Sequence, residues 1–455
     1  MSSELRRVIG FWGGTALIVG ITIGSGIFRK PASLAGDVHH AGLILGLWIG
    51  FGVVSLCGAL ALAELSSMMP ETGGVYVYLR AAYGDAAAFT FGWINLLVTS
   101  PASAGALAVF FAELLLGNCG IAPKDAPWLL PGIAAATIVI LSFVNAAGAT
   151  LGSAVQGLFT MIKVAALLAI AALAFVGKGS FGHFGGGSLE GAKLGAGAAS
   201  VIWAYDGWVA VSMIAGEVRA PEQLLKRIIV AGMLTIVVLY VGANVAYFYA
   251  MPLDSMEAGD VPQRTVAAVV GGWGGTAVSF CIMASVFGAL NGNVLARPRV
   301  SFAMAQHRLT FGFLGKSHPR WGTPLAAIAI QSAVAILLVL TLRNPEKPRE
   351  LFDALTTYFV VVEWFALLFA VGTVFVLRRK RPDAERPFRT PGYPWVPLLF
   401  IVGTVAGLGA IVAGELKTGN WTPVIGLGIA MLGFPVYAIW RRVSPGPPPG
   451  GASRA

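Results

Sequence analysis

Apolar residues in this chain are grouped in long runs without a charged residue, separated by short polar segments. Runs of at least 20 residues recur from end to end, at 8–28, 38–63, 86–112, 228–253, 265–296, 321–342, 390–414 and 418–440. Each run is long enough to cross a hydrocarbon core about 30 Å thick. A further run, 126–162, has 37 residues, which is too many for one span, and we interpret it as two helices with a break near Asn145–Gly148.

The whole pattern predicts an all-α integral membrane protein with twelve membrane-spanning helices. We place these helices at about 7–34, 41–69, 85–116, 127–146, 151–176, 195–217, 226–250, 271–305, 324–342, 351–377, 395–414 and 422–440. The first five helices make up one half, 7–176, and the next five make up a second half, 195–377. Two more helices follow at 395–440, and the Pro- and Gly-rich tail 441–455 is expected to be disordered.

Charged residues are scarce and unevenly distributed between the two ends of these helices. The chain is 56% hydrophobic and 11% charged, whereas soluble domains carry about 25% charged residues. Of its 31 Lys and Arg residues, 20 fall on the side of the two termini and 10 on the opposite side. Since the richer side faces the cytoplasm, the N-terminal segment 1–6 and the tail are expected to be cytoplasmic, in a cell membrane. The net charge of +10 then reflects orientation in the bilayer and not binding to nucleic acid.

The sequence indicates no cofactor, no metal site and no catalytic constellation, so we do not expect an enzyme. Its three cysteines, Cys57, Cys119 and Cys281, are far apart and suggest neither a metal site nor a disulfide framework. Cys119 lies in a predicted outer loop, where the thiol either stays unpaired or bonds to a partner protein; no obligate partner protein is predicted. A nucleotide-binding loop of the form GxxxxGKS or GxxxxGKT is absent, so ATP is not expected to drive the protein.

The first predicted helix carries the segment GITIGSGIF, Gly20–Phe28, in its middle. A glycine inside a helix costs about 1 kcal/mol relative to alanine, and this segment has three glycines around Ser25. One interpretation is close packing against another helix, because Gly20 and Gly24 have the spacing of small residues that allows it. The other is that the helix unwinds, which is tolerated at membrane depth only where the backbone lines a cavity or is buried in protein.

The sixth predicted helix has a similar feature, and this favours unwinding in both. Its centre, WAYDGW at Trp203–Trp208, places Asp206 next to a glycine and among aromatic residues. A carboxylate in the middle of a span is costly and is a functional candidate by default. Interrupted helices at corresponding positions of two halves indicate a transporter site. Helix N-termini suit a carboxylate, and unwound carbonyls suit a cation, so such a site would recognise a zwitterion such as an α-amino acid.

Several motifs resemble the amino acid–polyamine–organocation (APC) superfamily, in consistent order over about residues 8–440. They are IGSGIF in helix 1, CGALALAELSSMMPETGGVYVYL after helix 2, AYDGW followed by GEVRAPEQLLKR, then RPRVSFAMAQHRL and RRKRPDAERPFRTPGYP. The chain is most similar to prokaryotic members of the L-type amino acid transporter (LAT) family, a likeness that helix 7, VLYVGANVAYF, shares. The resemblance implies the LeuT-type fold: a five-plus-five inverted repeat with discontinuous helices 1 and 6, plus two further helices.

The resemblance also implies roles for individual residues. Five consecutive positions of helix 1 match the substrate motif of the family: Thr22, Ile23, Gly24, Ser25 and Gly26. The last three would bind the substrate carboxylate, and the carbonyls of the first two would receive the substrate amino group. Trp203 falls where the family has an aromatic gate over the substrate, and Tyr240 matches a helix-7 tyrosine linked to the translocation cycle. Asp206 falls beside the break in helix 6, where eukaryotic relatives often have Gly.

Two further charged residues lie in the middle of predicted spans. Lys163 lies about twelve residues into the fifth helix, where a lone lysine needs carbonyl or carboxylate partners. It matches the helix-5 lysine of sodium-independent family members, whose ammonium would stand in place of a sodium ion and connect helix 5 to helix 1. Glu363 lies in helix 10; it either belongs to the distal end of the substrate pocket or bonds within the bundle without a direct role.

These observations predict a sodium-independent secondary transporter of neutral L-amino acids that works by alternating access, as an exchanger of one amino acid for another. Three alternatives stay open. The first is proton-coupled symport through Lys163, Asp206 or Glu363. The second is a carrier of polyamines or cationic amino acids, in which Asp206 and Glu363 would neutralise a second positive charge. The third is a non-transporting amino acid sensor on the same fold.

Overall fold

The structure, a computed structural model, describes residues 7–185, 187–342 and 348–443 and is almost entirely helical there. Its α-helices in chain order are α1 Phe11–Thr22, α2 Gly26–Val38, α3 Ala41–Met68, α4 Val75–Tyr83, α5 Asp85–Ile94, α6 Ser100–Asn118, α7 Leu129–Ala146, α8 Ala149–Val176, α9 Leu194–Tyr205, α10 Ala210–Met213, α11 Pro221–Ala250, α12 Leu253–Met256, α13 Val261–Val270, α14 Gly272–Ala296, α15 Pro298–Gln306, α16 Leu325–Thr341, α17 Pro348–Lys380, α18 Trp395–Lys417, α19 Thr422–Met431 and α20 Gly433–Val443. In these residues, β structure is limited to two isolated bridges. The predicted segment 1–6 and most of the predicted tail 441–455 lie outside the described residues.

Ten helical segments of the described chain are long and apolar enough to cross a membrane. They are Phe11–Val38, Ala41–Met68, Asp85–Asn118, Leu129–Ala146, Thr150–Val176, Pro221–Ala250, Gly272–Gln306, Leu351–Lys380, Trp395–Lys417 and Thr422–Val443. The other two predicted spans correspond to α9 and α16, which are apolar but have only 12 and 17 residues. The structure confirms a nearly all-helical, multi-pass membrane protein, whereas the count of twelve spans stays a prediction.

Two helices of about ten residues lie between spans where the sequence predicts only loops. α4 has 9 residues and α13 has 10, so neither produces a hydrophobic run long enough to stand out as a span. Each is followed by a sharp bend at a glycine with positive φ, Gly84 at 89° and Gly271 at 86°. Glycine adopts this backbone conformation at no steric cost, and it lets the chain turn directly into the next long helix.

The first predicted helix is interrupted at the centre of the bundle. α1 ends at Thr22 and α2 begins at Gly26, so three residues between them lie outside the α-helices. α1 packs against α8, α11 and α14, while α2 packs against α9. The approach of α1 to α11 is close, since a Cβ added at Gly14 would lie 2.6 Å from the Cδ1 atom of Ile228.

The sixth predicted helix is interrupted as well, and the two interruptions touch. α9 ends at Tyr205 and α10 begins at Ala210. Between them, Asp206 is extended, with φ −67° and ψ 154°, and Gly207 has φ 120°. A Cβ at Gly207 would lie 2.8 Å from the hydroxyl oxygen of Thr22 and 2.9 Å from its backbone nitrogen. Glycine is therefore required at this position both by its backbone conformation and by the space available.

Two arginines that the sequence counts among the cytoplasmic-side charges are buried. Arg297 and Arg299 lie at the junction of α14 and α15, with 6% and 0% of their surface exposed. Arg299 forms an ion pair with Glu217, its Nε atom lying 2.8 Å from Oε1. These two charges lie in the interior of the bundle and give no information about the orientation of the protein in the membrane. The cytoplasmic location of both termini stays a prediction.

The cysteines of the described chain are unpaired with one another. Cys119 is exposed immediately after α6, Cys57 is buried and Cys281 is partly buried. The exposed thiol is the one that the sequence assigns to an outer loop. A disulfide from Cys119 to a partner protein stays a prediction.

Glu64 of α3 connects this helix to α17 and to the segment that follows α17. Its carboxylate accepts hydrogen bonds from Nε and Nη2 of Arg378, at 3.0 and 2.7 Å, and from the backbone nitrogen of Thr390 at 2.6 Å. The Nε atom of Arg386 lies 3.4 Å away. These contacts fix the connection 381–394 between α17 and α18 against α3.

We expect Glu64→Ala to lower the free energy of unfolding by roughly 3 kcal/mol, because it leaves mostly buried guanidinium groups without their carboxylate. Thermal unfolding in detergent measures the loss. Lys193→Gln is the control: Lys193 pairs with Asp37 at 3.4 Å, but its side chain is 64% exposed. Such exposed pairs contribute less than about 1 kcal/mol. Equal losses in the two variants would contradict the role assigned to Glu64.

Candidate functional site

A small cavity of about 30 Å³ lies between the two interruptions. Its lining comes from the interruptions and from α1, α2, α6, α9 and α14: Ile21, Thr22, Gly24, Ser25, Gly26, Ser103, Leu107, Trp203, Asp206, Asn293 and Arg297. Six of the seven residues that the sequence assigns to a substrate site are among them, the exception being Ile23. The folded chain therefore brings the candidate residues of predicted helices 1 and 6 to one place.

The start of α2 provides donors that suit an anion. Gly24 and Ser25 lead into this helix, whose first-turn N–H groups have no acceptor within the helix and form the positive end of its dipole. The indole Nε1–H of Trp203 donates a hydrogen bond to the hydroxyl of Ser25 at 3.1 Å. A Cβ at Gly26 would lie 2.5 Å from the Cα of Ala204, so only glycine lets the start of α2 approach α9 this closely.

Trp203 belongs to an aromatic cluster between this cavity and a larger one of about 640 Å³. Its ring meets the rings of Phe359 and Phe352 edge-on, at centroid distances of 5.2 and 6.0 Å. The guanidinium of Arg29 lies 4.2 Å from the centroid of Phe352 and pairs with Glu113. Both Arg29 and Glu113 line the larger cavity, so the aromatic cluster connects a residue of the small cavity, Trp203, to the wall of the larger one.

Lys163 of α8 is fully buried and binds the backbone at the first interruption. Its ammonium lies 2.6 Å, 2.7 Å and 2.7 Å from three carbonyl oxygens, those of Gly20, Ile23 and Ser285. An ammonium group has three N–H donors, and each has an acceptor here. The side chain thereby connects α8 to the interrupted first helix and to α14.

The carbonyl of Ile23 bonds within the protein in this conformation, and the role that the resemblance implies for it towards a substrate stays a prediction. Besides the ammonium of Lys163, it accepts a hydrogen bond from the hydroxyl of Ser285 at 2.9 Å. A carbonyl oxygen has two lone pairs, and both are engaged. Ile23 is also fully buried and does not line the cavity.

The hydroxyl of Tyr240 joins the two interrupted helices. It lies 2.6 Å from the carbonyl oxygen of Thr22 and 3.0 Å from that of Ala204, in the last turns of α1 and α9. The carbonyl of Thr22 also accepts from the backbone nitrogen of Gly24 at 2.8 Å, so its lone pairs are engaged as well. In this conformation, neither carbonyl assigned to the substrate amino group is available.

Three other acceptors at the cavity are buried and have no hydrogen-bond partner. They are the hydroxyl oxygen of Thr22, the Oδ1 atom of Asp206 and the Oδ1 atom of Asn293. Leaving a buried polar atom without a partner costs about 1–3 kcal/mol, so a bound molecule with hydrogen-bond donors would be stabilised here. The side-chain oxygens of Thr22 and Asp206 are therefore further candidate acceptors for an amino group, besides the backbone carbonyls that the resemblance implies.

Arg297 is the charged residue of the site that the sequence analysis does not identify. Its guanidinium lies 3.6 Å from the carboxylate of Asp206 and 3.4 Å from that of Glu363, and it also lines the cavity. An arginine directly after an apolar run looks like the end of a span. One feature of the sequence could have identified Arg297. The predicted helix 271–305 continues for two more turns after it, so the residue does not lie at the end of the predicted helix.

Glu363 lies behind Arg297 and does not itself line the cavity. Its carboxylate is 1% exposed, and its oxygens lie 3.4 and 3.5 Å from the Nη1 atom of Arg297. Asp206, in contrast, lines the cavity and contacts the other terminal nitrogen, Nη2. The two carboxylates thus share one guanidinium, and any contact of Glu363 with a ligand would pass through Arg297.

A bundle of membrane-spanning helices in which two interrupted helices face each other across a buried polar cavity is the architecture of a secondary transporter. A family model described as amino acid permease matches residues 9–434, and the chain belongs to this family. It is a member of the APC superfamily similar to the LAT family, as the sequence motifs predict. The protein is accordingly an amino acid transporter and not an enzyme.

Individual relatives cover nearly the whole chain. The serine/threonine exchanger SteT of Bacillus subtilis is 33% identical over 95% of this chain and 96% of its own length. The b(0,+)-type amino acid transporter 1 of Mus musculus is 30% identical over 88% of this chain and 82% of its own length. The cystine/glutamate transporter of Homo sapiens is 26% identical over 96% of this chain and 87% of its own length.

We expect Gly26→Ala to reduce amino acid uptake in proteoliposomes about tenfold or more, because the added methyl group meets the backbone of Ala204 and pushes α2 away from α9. Gly46→Ala in α3 is the matched control, since a Cβ there meets nothing within 4 Å. If the Gly26 variant took up amino acids at the wild-type rate, close contact between α2 and α9 would not be required for transport.

Tyr240→Phe removes the hydroxyl whose one hydrogen is shared between the carbonyl oxygens at the ends of α1 and α9, an interaction worth about 1 kcal/mol. We expect uptake to fall roughly fivefold to tenfold. Tyr205→Phe provides the control, because the hydroxyl of Tyr205 is buried without a hydrogen-bond partner and its removal costs no bond. The same uptake assay applied to both variants measures the difference, and a larger loss for Tyr205→Phe would refute the assignment.

Proposed function

We propose that this protein is a sodium-independent secondary transporter of neutral L-amino acids that exchanges one amino acid for another by alternating access. The proposed architecture is the LeuT-type fold of twelve spans. Its inverted repeats are 7–176 and 195–377, its two further helices lie at 395–440, and both termini are cytoplasmic. The observation that carries the proposal is the ammonium of Lys163, which binds three backbone carbonyls beside the small cavity.

Independence from sodium follows from the position of this ammonium. Unwound backbone at membrane depth has carbonyl oxygens that require a donor or a cation. Here Lys163 is bound to the carbonyl of Gly20 in the last turn of α1 and to that of Ile23, the first residue of the break. The ammonium of Lys163 thus binds the carbonyls that a bound sodium ion would otherwise coordinate.

Preference for neutral substrates is supported by the charges around the cavity. Four ionisable side chains lie at it or next to it: Lys163, Asp206, Arg297 and Glu363. Their formal charges are two positive and two negative, so they sum to zero. Both carboxylates share the guanidinium of Arg297, but Asp206 keeps one oxygen without a hydrogen-bond partner, so the alternative of a cationic substrate is decided by the counterflow experiment below.

The geometry assigns a place to each end of a zwitterion. The carboxylate would bind the N–H groups at the start of α2 and the hydroxyl of Ser25. The amino group would donate to the hydroxyl oxygen of Thr22, while Trp203 covers the site from the larger cavity. Exchange is supported by the relative SteT, whose name describes it as an exchanger of serine and threonine.

Counterflow in proteoliposomes tests this proposal. Vesicles are loaded with one unlabelled amino acid at a time, and uptake of a labelled one is measured with and without sodium. We expect neutral amino acids inside the vesicles to stimulate uptake of the labelled amino acid equally with and without sodium. Putrescine or arginine inside the vesicles should not stimulate this uptake. Sodium-dependent uptake, or stimulation by the cationic compounds alone, would overturn the proposal.

The variant Lys163→Met examines the central contact in the same assay. It removes the ammonium that donates to three buried carbonyls, two of them at the interruption, so we expect uptake to fall at least tenfold. Lys193→Gln again serves as the control, because the ammonium of Lys193 lies on the surface. If Lys163→Met transported at the wild-type rate, the sodium-replacement argument would be wrong.

A further inference from the structure

An apolar groove of about 350 Å³ lies on the outside of the bundle, between the α4–α5 pair, α17 and the α19–α20 pair. The helices α5, α17, α19 and α20 all belong to segments long and apolar enough to cross a membrane. Because a groove between such helices opens to the bilayer, the hydrocarbon chain of a lipid can enter it. Four of the large side chains that line the groove are exposed: Tyr83, Phe369, Met431 and Phe434.

The apolar lining of the groove does not by itself select one kind of lipid. Lipid tails in the bilayer are as apolar as the groove, so moving a tail into it gains little from the hydrophobic effect. Selectivity must therefore come from polar and charged side chains at the end of the groove where lipid headgroups lie.

Two basic side chains lie at the end of the groove where α4 passes into α5. The Nε atom of Arg80 lies 2.8 Å from Oδ1 of Asp85, the first residue of α5. The ammonium of Lys380, the last residue of α17, lies 2.8 Å from the carbonyl oxygen of Ala82. The side chain of Arg80 is 37% exposed and makes its ion pair through Nε, so its terminal nitrogens can reach a headgroup.

A third basic side chain, that of Arg441, approaches the same end of the groove from α20. Phe434, Tyr437 and Arg441 are three and four residues apart, so they share one face of this helix. Phe434 lines the groove, and the ring of Tyr437 lies 5.5 Å from that of Phe89 in α5. The guanidinium of Arg441 lies 5.9 Å from the centroid of Tyr437. This face of α20 therefore leads from the groove to an exposed arginine.

The charges at this end of the groove favour an anion. Arg80, Lys380 and Arg441 carry three positive charges and Asp85 carries one negative charge, so the net formal charge is +2. A phosphate group accepts hydrogen bonds from guanidinium groups with favourable geometry.

Thr90 of α5 provides a hydroxyl group inside the groove. The residue is 7% exposed, and its hydroxyl oxygen has no hydrogen-bond partner. It follows Asp85 by five residues, so it lies about 7.5 Å further along the helix axis. A buried hydroxyl without a partner is costly, and the ester carbonyl of a phospholipid would accept its hydrogen bond.

We propose that this groove binds one anionic phospholipid, in the leaflet on the side where α20 ends. Its phosphate contacts Arg80 and Arg441, an ester carbonyl accepts from the hydroxyl of Thr90, and one acyl chain lies along Phe369 and Phe434. The bound lipid holds α20 against α5 and α17. This lipid site shares no lining residue with the proposed substrate cavity, so the proposal does not depend on the proposed function.

Native mass spectrometry of the purified full-length protein in detergent tests the charge requirement, with phosphatidylglycerol and phosphatidylcholine added in equal amounts. We expect the wild type to bind phosphatidylglycerol at least tenfold more tightly. Combining Arg80→Gln with Arg441→Gln should lower this preference about fivefold for each arginine, the effect of one basic side chain at a membrane surface. Equal binding of the two lipids by the wild type would overturn the proposal.

Two variants of α20 are controls for the loss of arginine. Arg442→Gln removes a neighbouring exposed arginine that points about 100° away around the helix, so it should keep the preference for phosphatidylglycerol. Arg441→Lys keeps the positive charge and should keep most of the preference. A loss as large in Arg442→Gln as in Arg441→Gln would contradict recognition of the headgroup by Arg441.

The variant Ala87→Phe tests the groove without changing any charge. Ala87 lines the groove, so the larger side chain fills it and should weaken phosphatidylglycerol binding about tenfold. Ala169→Phe, on an exposed position of α8, is the matched control. Undiminished binding by an Ala87→Phe protein with the wild-type unfolding temperature would overturn the proposal. If Ala87→Phe fails to fold, the arginine variants decide the question.

Two further measurements identify other occupants of the groove. Glycerol 3-phosphate has the phosphate group without acyl chains, and we expect it to raise the unfolding temperature less than phosphatidylglycerol does. Equal stabilisation by both compounds would show a site for free phosphate and contradict the proposal. Conversion of a dimer into a monomer by Ala87→Phe, with lipid binding unchanged, would show that the groove is an interface between two copies of the chain and would also contradict it.

Discussion

The ammonium of Lys163 is the interaction on which the functional region depends. Interrupting a helix inside a membrane bundle leaves carbonyl groups without partners, and such groups are costly where no water reaches them. The lysine donates to two of those carbonyls, those of Gly20 and Ile23, and so stabilises the interrupted conformation. Because its third acceptor is the carbonyl of Ser285 in α14, the same side chain also fixes the position of the helix that carries Asn293.

The two interrupted helices pack closely against each other because of two glycines and one hydroxyl group. Gly26 and Gly207 each stand where a Cβ would meet the other helix within 3 Å. Tyr240 bonds to the last turns of both α1 and α9. These contacts bring the positive end of α2 and the extended backbone at Asp206 to one small cavity, a geometry that neither helix could produce alone.

Much of this arrangement could be predicted from local sequence, because local sequence contains its physical cause. Three glycines around Ser25 weaken one helix at its centre, and a lone lysine in an apolar run needs carbonyl partners wherever it lies. Arg297 could not be predicted, because an arginine after an apolar run has the same pattern whether it faces water or two buried carboxylates. The engagement of the Ile23 carbonyl, and the position of Asn293 beside the cavity, depend on packing among helices distant in sequence.

The pairing of Arg297 with two carboxylates, together with Lys163, has a consequence for energetics across the bilayer. A charge that crosses the full membrane potential gains or loses about 2.3 kcal/mol per 100 mV. Under the proposed function, the resident charges sum to zero and the zwitterion adds none. The loaded and empty forms of the carrier then respond alike to voltage, so amino acid concentrations alone set the direction of net exchange.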